Sequence, residues 1–396
     1  MKPLAGVRIA DFTLHAAGPF CTHILSQLGA ECIKVESAAR PDIFRKPHPV
    51  YGRMGPASFD QVAANKLSVR INLKDARGSA LARKLVGASD LVCESFRPGV
   101  MERLGLGYAA LAALKPSVVM VSVSSSGQRG PDSHFAGYAP LFGAWGALGY
   151  LTGYEDGPPV EMRHVMDHSV GMNAAMVAVA AVYRLRRTGR GGHVDVSARE
   201  VACSLVGEAL LFAAAGGSPV RIGNDHPRMA PHGVFRTRDE DRWLTIAVRT
   251  DDEWRALVRL MDTPHLLTDP RFQSAASRHE YRRALYGEIE HWTMTCEAGA
   301  AERLLQAAGI AAHVSCNMED IAHDRHLRER GTIVEVEDMT GHKRAALKAP
   351  IRFSKSDVGM TRGTPRLGEN EDYVFGELLG LSREERQSLM DQQVIY

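Results

Sequence analysis

The N-terminal third of the chain alternates short strand-like apolar runs with helical patterns, and this alternation constrains the fold more than any other feature. The runs are VRIADF, ECIKVES, SVRINL, DLVCES and SVVMVSVS. Short strands separated by helices of about ten or more residues indicate a parallel sheet with covering helices, and therefore an α/β fold. Ligands of such sheets bind beyond the carboxyl ends of the strands, so we expect a site in the loops after Phe12, Glu36, Leu73 and Ser95.

The middle of the chain predicts a second, smaller α+β unit. The stretch GGSPVRIGNDHPRMAP has the turn residues of a long connection, which marks a boundary. After it, GVFRTRDEDRWLTIAV is typical of a hairpin, and three helical patterns follow. Strand patterns return in TIVEVED and APIRFS, and the chain ends in a capped helix, LSREERQSL. We therefore divide the chain into residues 1–215, 225–330 and 331–396.

Charge and hydropathy argue against nucleic acid or a membrane as the main partner. Lys and Arg total 48 against 46 Asp and Glu, with the two signs interspersed, so the chain has no strong charge field. The longest apolar run, Gly171 to Tyr183, is shorter than the roughly 20 residues that span a bilayer, and it predicts a buried helix. No apolar signal core follows the first methionine, so we expect a cytoplasmic protein. The six scattered cysteines, without a CxxC pair, are expected to be reduced thiols.

Several common site motifs are missing from the sequence. It has no GxGxxG after a strand, no GxxxxGK[ST] and no GxSxG, which argues against the standard nucleotide loops and the simplest serine hydrolase. His323 and His326 lie i, i+3 on a predicted helix without a third ligand nearby, which favours a solvated helix face over a metal site. We therefore expect no bound metal.

Asp167 stands at the predicted start of the apolar helix, with His164 and His168 beside it. Aspartate is a common N-cap, because its carboxylate accepts hydrogen bonds from the first free backbone amides of a helix. An ionised carboxylate at a helix start inside a cleft can also act as a covalent nucleophile. The residues alone leave both roles open.

Sequence blocks spread over nearly the whole chain follow one another in a specific order. They are PLAGVRIADFTLHAAGPFCTHILSQLGAECIKVE, NKLSVRINLK, CESFRPGVMERLGLGYAALAALKPSVVMVSVSSSGQRGP, YLTGYEDGPPV, the Asp167 segment, TGRGGHVDVS, APIRFS and LGENEDYV. Together they resemble the family III CoA-transferases, the group of formyl-CoA and carnitine CoA-transferases. The same superfamily contains 2-methylacyl-CoA racemases, so the resemblance implies fold and CoA binding more firmly than reaction type.

For the fold, the resemblance implies a Rossmann-like large domain built from both chain ends and a small domain made by the middle of the chain. It also implies an interlocked, ring-like homodimer, and a hetero-oligomer with a paralogous chain stays open.

For the chemistry, the resemblance implies that Asp167 is the nucleophile of CoA transfer from a donor such as succinyl-CoA to a small carboxylic acid. The route runs through an aspartyl anhydride and an aspartyl-CoA thioester. CoA and its esters are then substrates, and no tightly bound cofactor, ATP or metal is required, because the thioester energy is conserved. Each oxyanion needs preorganised donors, which we expect from backbone amides of a glycine-rich segment.

The resemblance further implies a set of residues that contact CoA. Lys74, Arg97 and Arg103 are expected to bind its phosphates, since charge-assisted hydrogen bonds to phosphate are strong. The segment from Ala136 to Ala139 is expected to lie near the thioester. The full set is Ala16, Ala17, Ile71, Asn72, Leu73, Lys74, Ser95, Phe96, Arg97, Arg103, Ala136, Gly137, Tyr138 and Ala139.

Two departures from the family pattern bear on the substrate. Ala16 stands where formyl-CoA transferases have a Gln, and Ser37 stands where they have an Arg, with Arg40 as the candidate substitute. We therefore expect a less polar or larger acid than oxalate or formate.

A 2-methylacyl-CoA racemase is the alternative enzyme. Racemases of this group carry a His opposite the Asp, because removing and returning a proton on opposite faces needs two acid–base groups. The aligned stretch here reads Gly137-Tyr138-Ala139, without the His, which favours a transferase. A third hypothesis, a non-enzymatic partner subunit, is disfavoured by the presence of Asp167.

Overall fold

The computed structural model describes residues 1–50, 52, 56–162 and 164–396. Its centre is a parallel sheet of six strands in the order β3-β2-β1-β4-β5-β6. The strands are β1 (Arg8–Phe12), β2 (Glu31–Glu36), β3 (Leu67–Arg70), β4 (Leu91–Glu94), β5 (Val119–Ser124) and β6 (Gly192–Ser197). Strand order reverses between β1 and β4, which makes the crevice at their carboxyl ends the topological switch point. The predicted α/β fold with a parallel sheet is confirmed.

The α-helices follow in chain order. They are α1 (Ala17–Gln27), α2 (Ala57–Ala63), α3 (Ala76–Gly87), α4 (Val100–Arg103), α5 (Tyr108–Leu114), α6 (Ala139–Trp145), α7 (Leu148–Leu151), α8 (Val165–Thr188), α9 (Ala198–Ser204), α10 (Gly207–Ala214), α11 (Asp251–Met261), α12 (Ala275–Glu280), α13 (Arg282–Thr293), α14 (Ala298–Ala307), α15 (Met318–His323), α16 (Arg325–Glu329) and α17 (Arg383–Asp391). Short 3-10 helices span Ile43–Arg45 and Pro264–Leu267, and a π-helix spans Asp372–Leu378.

Apolar side chains on both faces of the central sheet are buried. Ile9 and Val121 face a core that contains α1 and α8, whereas Ala10 and Met120 face a second core that contains α3 and α5. Burial on both faces explains why these strands read as near-continuous apolar runs.

Helix α8 is half buried. Its 24 residues are long and apolar enough to cross a membrane, judged by length and composition alone. Val170, Ala174 and Ala178 lie one turn apart on a face that packs into the core, and Met176 on the opposite face is exposed. The prediction of a buried helix from Gly171 to Tyr183 therefore holds for one face only.

A second sheet of three antiparallel strands organises the middle of the chain. Its strands are β7 (His232–Arg236), β8 (Trp243–Ala247) and β9 (Ala311–Val314). Leu244 and Ile246 of β8 are buried in one core with Trp254 of α11 and Ile289 of α13. The hairpin that the sequence predicted here is the β7–β8 pair.

The tail contains one strand pair and then covers the edge of the central sheet. Strand β10 (Ile333–Glu337) pairs with β11 (Lys343–Leu347) in antiparallel register. The predicted strand APIRFS is wrong, because the partner of β10 ends before Ala349 and Pro350 lacks an amide hydrogen for a ladder. Further on, Asn370 exchanges hydrogen bonds with the backbone of Ser68 on the edge strand β3, which satisfies groups that an open edge would leave unpaired.

The chain divides into two compact units. Unit 1 comprises Met1–Gly149, Glu161–Gly217 and Arg325–Tyr396, and unit 2 comprises Tyr150–Val160 and Ser218–Asp324. Unit 1 contains both ends of the chain.

Two short segments differ from the predicted division of the chain. Tyr150–Val160 falls in unit 2 rather than with residues 1–215, because the Arg221 guanidinium donates to the carbonyls of Tyr150 and Tyr154. Helix α16 falls in unit 1 rather than with residues 225–330, because the amide of Thr332, just before β10, donates to the carbonyl of Leu327. The first difference comes from long-range hydrogen bonds, which leave no local pattern in the sequence, and the second from a local hydrogen bond at the end of α16.

Candidate functional site

A cavity of about 620 Å³ lies at the carboxyl edge of the central sheet, within unit 1. The loops after β1, β2, β4 and β5 line it, together with the N-terminal ends of α1, α6, α8 and α9. This is the place where ligands of open α/β sheets bind, at and beside the switch point between β1 and β4.

Most of the predicted site residues line this cavity. They are Ala16, Ala17, Ser95, Phe96, Arg97, Ala136, Gly137, Tyr138, Ala139 and Asp167. Arg40, the candidate substitute for the missing family Arg, lines it as well.

The segment Ile71, Asn72, Leu73 and Lys74, and also Arg103, lie outside the cavity lining. Ile71 is buried in the core, and the Asn72 amide donates to the carbonyl of Val394. Lys74 and Arg103 are exposed, on the loop after β3 and at the end of α4. Lys74 and Arg103 therefore remain candidates only for contacts with the phosphates of CoA.

Asp167 is not the N-cap of its helix. Helix α8 begins at Val165, its N-cap is His164 with a left-handed φ of 62°, and Asp167 is the third helical residue. Within the described residues, no hydrogen bond or ion pair to the Asp167 carboxylate is present. The capping hypothesis is therefore wrong, and the carboxylate is available to a ligand in the cavity.

Burial has the largest influence on the pKa of Asp167. Burial raises the pKa of its carboxyl above the ordinary value, against the opposing influence of His164, His168 and His15. The ionised carboxylate is therefore poorly solvated and has no partner among the described groups, which increases its reactivity toward an electrophile.

The start of α1 presents free backbone amides at the same cavity. Its N-cap, Ala16, has no side chain that can accept their hydrogen bonds. Pro19 has no amide hydrogen, and the Phe20 amide already donates to the Ala16 carbonyl at 2.8 Å. The amides of Ala17 and Gly18 are first-turn donors without an intrahelical acceptor. Such donors can stabilise an oxyanion in the cavity.

A buried network of hydrogen bonds and an ion pair fixes the conformation of the loop after β1. The Lys34 ammonium donates to the Thr13 carbonyl at 2.8 Å and to Asp42 Oδ2 at 3.1 Å. The same Asp42 oxygen accepts the His15 amide at 3.2 Å, which holds His15 at a positive φ of 69°. The loop also exchanges hydrogen bonds between Leu14 and the Ser95 hydroxyl. These contacts fix the backbone path from the end of β1 to the free amides at the start of α1.

An aromatic stack anchors the segment that contains Ala136 to Ala139. Phe135 stacks on Trp145 with ring centroids 5.3 Å apart, and the Arg199 guanidinium lies 4.5 Å from the Trp145 centroid. Arg199 also pairs with Asp132 at 2.9 Å, at the beginning of the same loop. These contacts order a loop that the sequence alone would leave as an irregular connection.

Several residues of the cavity were missed by sequence reasoning. They are Leu14, His15, Gly18, Ile43, Phe44, Pro98, Val123, Ser124, Ser125, Ser133, Phe135, Pro140, Phe142, His164, Val170 and Ala198. A usable signal existed for the residues after β5, because the rule that pointed to the ends of the first four strands applies to the next strand as well.

Glu94 lies beneath the loop that carries Ser95 to Arg97. It ends β4, is fully buried, and its Oε2 accepts the Phe96 amide at 2.7 Å. Burial raises the pKa of Glu94 to about 7, with a smaller contribution from the carboxylates of Glu102 and Asp195. The hydrogen bonds from Ser122 and Phe96 only partly oppose this rise. The loop from Ser95 to Arg97, which lines the cavity, is therefore held by a buried carboxyl whose pKa is raised to about 7.

No group of three or more His, Cys, Asp or Glu side chains is arranged to hold a metal ion in the described part of the chain.

Comparison with known proteins decides the family. The family model described as CoA-transferase family III matches residues 4–371. The chain belongs to this family. Succinyl-CoA–D-citramalate CoA-transferase of Chloroflexus aurantiacus is 32% identical, over 100% of this chain and 98% of its own length. Acetyl-CoA:oxalate CoA-transferase of Acetobacter aceti is 36% identical over 93% of each chain.

The fold comparison agrees with the family assignment. A crystal structure of a CaiB/BaiF family protein from Brucella suis matches with a TM-score of 0.87 at 29% identity, covering 95% of this chain and 99% of that one. This family III protein is therefore an enzyme of the CoA-transferase class, and its substrates are CoA thioesters.

Replacing Glu94 by Gln should change how stability depends on pH. A carboxyl whose pKa is raised on folding stabilises the native state below its unfolded pKa, and that stabilisation is lost as pH rises through the folded pKa. The wild type should therefore lose on the order of 3 kcal/mol more than Glu94→Gln between pH 4.5 and 8. Urea unfolding of both proteins across this range measures the difference, and parallel stability curves would contradict the environment described for Glu94.

Proposed function

We propose that this family III enzyme moves CoA from an acyl-CoA donor such as succinyl-CoA to a carboxylic acid, with Asp167 as the covalent nucleophile. The observation that carries the proposal is the placement of Asp167: its half-buried carboxylate, without a partner among the described groups, lines the cavity beside the free amides of α1. A carboxylate in this setting suits attack on a carbonyl carbon.

In the first half of the reaction, a carboxylate oxygen of Asp167 attacks the acyl carbon of the donor thioester, and the carbon–sulfur bond breaks. The products are a mixed anhydride of Asp167 with the donor acid, and CoA thiolate. The thiolate then attacks the side-chain carbonyl carbon of Asp167 in the anhydride and displaces the donor acid as its carboxylate. An aspartyl-CoA thioester remains on the enzyme.

In the second half, the acceptor carboxylate attacks the aspartyl thioester, which expels CoA thiolate and forms a second anhydride. The thiolate attacks the acyl carbon of the acceptor, releases the new CoA ester and restores the Asp167 carboxylate. Each step exchanges one activated acyl bond for another, so ATP is not consumed. The amides of Ala17 and Gly18 are the candidate donors to the oxyanion of each tetrahedral intermediate.

The charges around the cavity suggest how CoA is oriented. Arg40 and Arg97 are exposed at the cavity, and Lys74 and Arg103 are exposed outside its lining. We assign these cations to the phosphates, which places the acyl end of the thioester toward Asp167.

The aromatic residues of the cavity lining suggest the class of acid. Phe44, Phe135 and Phe142 line the cavity, which favours an acid with apolar parts over formate or oxalate. The relative named for oxalate makes oxalate a necessary member of any acceptor panel. An acceptor panel with succinyl-CoA, followed by liquid chromatography of the CoA esters, identifies the acid.

One structural observation supports the racemase alternative. The aligned loop at Gly137 to Ala139 has no His, but His15 and His164 also line the cavity and could serve as a second acid–base group. Loss of deuterium from the α-carbon of a 2-methylacyl-CoA, without transfer of CoA to any acid, would replace the transferase proposal by this one.

Asp167→Asn should abolish transfer while the fold is kept. Asn is nearly the same size but its neutral amide is a poor nucleophile, so we expect CoA transfer to fall by about a thousandfold or more with little change in Tm. Asp262→Asn, at an exposed left-handed position after α11, is the matched control and should keep full activity. An active Asp167→Asn protein would contradict the covalent route.

Removing one outer cation should weaken CoA binding without unfolding the protein. Lys74→Ala and Arg103→Ala each delete an exposed charge, so we expect the KM of CoA esters to rise by roughly threefold to tenfold, while the KM of the free carboxylic acid and the Tm stay unchanged. If the KM of every CoA ester is unchanged in both variants, the cation assignment is wrong.

We also propose that the enzyme is a homodimer. No residue of α10 is buried, and Leu210, Leu211 and Phe212 are 66%, 73% and 55% exposed. Such an apolar surface is rare on a monomer and fits a covered interface with a second copy.

Light scattering should therefore give the mass of two chains at micromolar concentration. Leu211→Glu should shift the protein toward one chain, whereas Leu114→Glu, at an exposed leucine on α5, should not. A wild-type monomer would contradict the dimer, and a mass that needs a second kind of chain would replace it by a hetero-oligomer.

A further inference from the structure

A buried carboxyl group next to the cavity has no role in the transfer described above. Glu94, the last residue of β4, is 2% exposed and is not among the residues that line the cavity. Its Oε2 accepts the Phe96 amide at 2.7 Å, and no ion pair to its carboxyl group is present in the described ranges of the chain. Burying an acid without a cationic partner is unfavourable, so its presence at this position needs an explanation.

The loop that Glu94 holds carries three residues of the cavity lining, Ser95, Phe96 and Arg97. The Ser95 hydroxyl accepts the Leu14 amide at 3.0 Å, which joins the start of this loop to the loop after β1. The Arg97 carbonyl accepts the Val100 amide at 3.1 Å, which closes the turn into α4. Between these two contacts, the bond from the Phe96 amide to Glu94 joins the loop to the end of its own strand. The backbone position of Arg97 therefore depends on Glu94.

Two further groups continue the hydrogen bonding of Glu94 into the sheet. Ser122, the register partner of Glu94 on β5, donates to its carboxylate, and Ser122 Oγ lies 2.9 Å from His193 Nε2. When Glu94 is ionised, His193 Nε2 can donate to the Ser122 oxygen; when Glu94 is protonated, its O–H can donate to Ser122, and Ser122 to His193 Nε2. Both states leave the three groups paired, so this environment accommodates either form of Glu94.

The neighbouring charges balance the two forms near neutral pH. Burial raises the pKa of Glu94 to about 7, and Glu102 of α4 and Asp195 of β6 contribute to the rise. Burial lowers the pKa of His193, with a smaller contribution from Arg129 and against the opposing influence of Asp195 and Glu102. His193 is therefore neutral at pH 7, and Glu94 is the member of this group that changes its charge there.

We propose that Glu94 is a positioning residue for CoA, whose ionised form holds the loop from Ser95 to Arg97 in the conformation that binds the CoA phosphates. The proposal rests on the proposed function, which assigns Arg97 to those phosphates. Hydrogen bonds to an ionised acceptor are roughly twice as strong as those to a neutral one, so the Phe96 amide is held most firmly when Glu94 is a carboxylate. Ionisation of Glu94 should therefore tighten the binding of CoA.

Isothermal titration of CoA into the wild type and Glu94→Gln, from pH 5.5 to 8.5, tests the proposal. Gln keeps the size and an acceptor oxygen for the Phe96 amide but stays neutral, so it imitates protonated Glu94 at every pH. We expect the two Kd values to be equal at pH 5.5, and the Kd of Glu94→Gln to be about threefold to tenfold higher at pH 8.5. Their ratio cancels the titration of the CoA phosphates and the cavity histidines, which both proteins share. A ratio that is independent of pH would overturn the proposal.

Two variants that keep the bond between Glu94 and Phe96 should move the midpoint of this change in opposite directions. Glu102→Gln, the matched amide substitution, removes a carboxylate that raises the pKa of Glu94, so the midpoint should fall. Ser122→Ala removes a hydrogen bond that lowers this pKa, so the midpoint should rise. Each variant is compared with its double variant that also carries Glu94→Gln. Midpoints that stay at the wild-type pH in both would overturn the assignment to Glu94.

Binding of free CoA separates this proposal from the transfer mechanism, because it needs no turnover. A wild type that transfers CoA but gives a ratio independent of pH would overturn the role of Glu94 alone. A wild type without transfer activity, whose ratio still changes through neutral pH as expected, would overturn the transfer mechanism alone.

Discussion

The contact between α1 and α8 is the constraint on which the site depends. A Cβ at Gly171 would lie 2.7 Å from the Ala17 carbonyl oxygen, so the two backbones touch where only glycine fits. Asp167 is one helical turn before Gly171 and therefore shares its face of α8. The contact thus brings the carboxylate to the start of α1, where the Ala17 and Gly18 amides are free. Helix packing thus holds the proposed nucleophile near the candidate oxyanion donors, without a hydrogen bond between them.

Two buried ion pairs next to the central sheet support this arrangement. Asp11 and Lys66 are fully buried and pair at 3.0 Å, and Lys34 and Asp42 pair at 3.1 Å. Burial alone would raise the pKa of Asp11, but the nearby ammonium groups of Lys66 and Lys34 outweigh it and lower the pKa. Such pairs add little net stability, but losing one partner would leave a buried charge uncompensated. They specify the path of the loop that enters α1.

The central sheet could be predicted from the sequence because burial on both faces makes each strand a continuous apolar run. The rule for strand ends then pointed to the loops after β1, β2, β3 and β4; the loops after β1, β2 and β4 line the cavity, and the loop after β3 does not. It did not reach Ser124 and Ser125, which line the cavity at the end of β5, because the prediction stopped at the loop after β4. The N-cap hypothesis for Asp167 failed because the N-cap is His164, in a left-handed conformation, and Asp167 is already the third helical residue.

The central claim is that Asp167 becomes acylated during turnover, and chemical trapping tests it most directly. The wild-type enzyme is incubated with succinyl-CoA, treated with hydroxylamine, digested and analysed by peptide mass spectrometry. The account predicts a hydroxamate on Asp167 that requires both the acyl-CoA and hydroxylamine, because hydroxylamine attacks the side-chain carbonyl carbon of the aspartyl-CoA thioester and displaces CoA. An unmodified Asp167 peptide from an enzyme that transfers CoA at its normal rate would contradict the account.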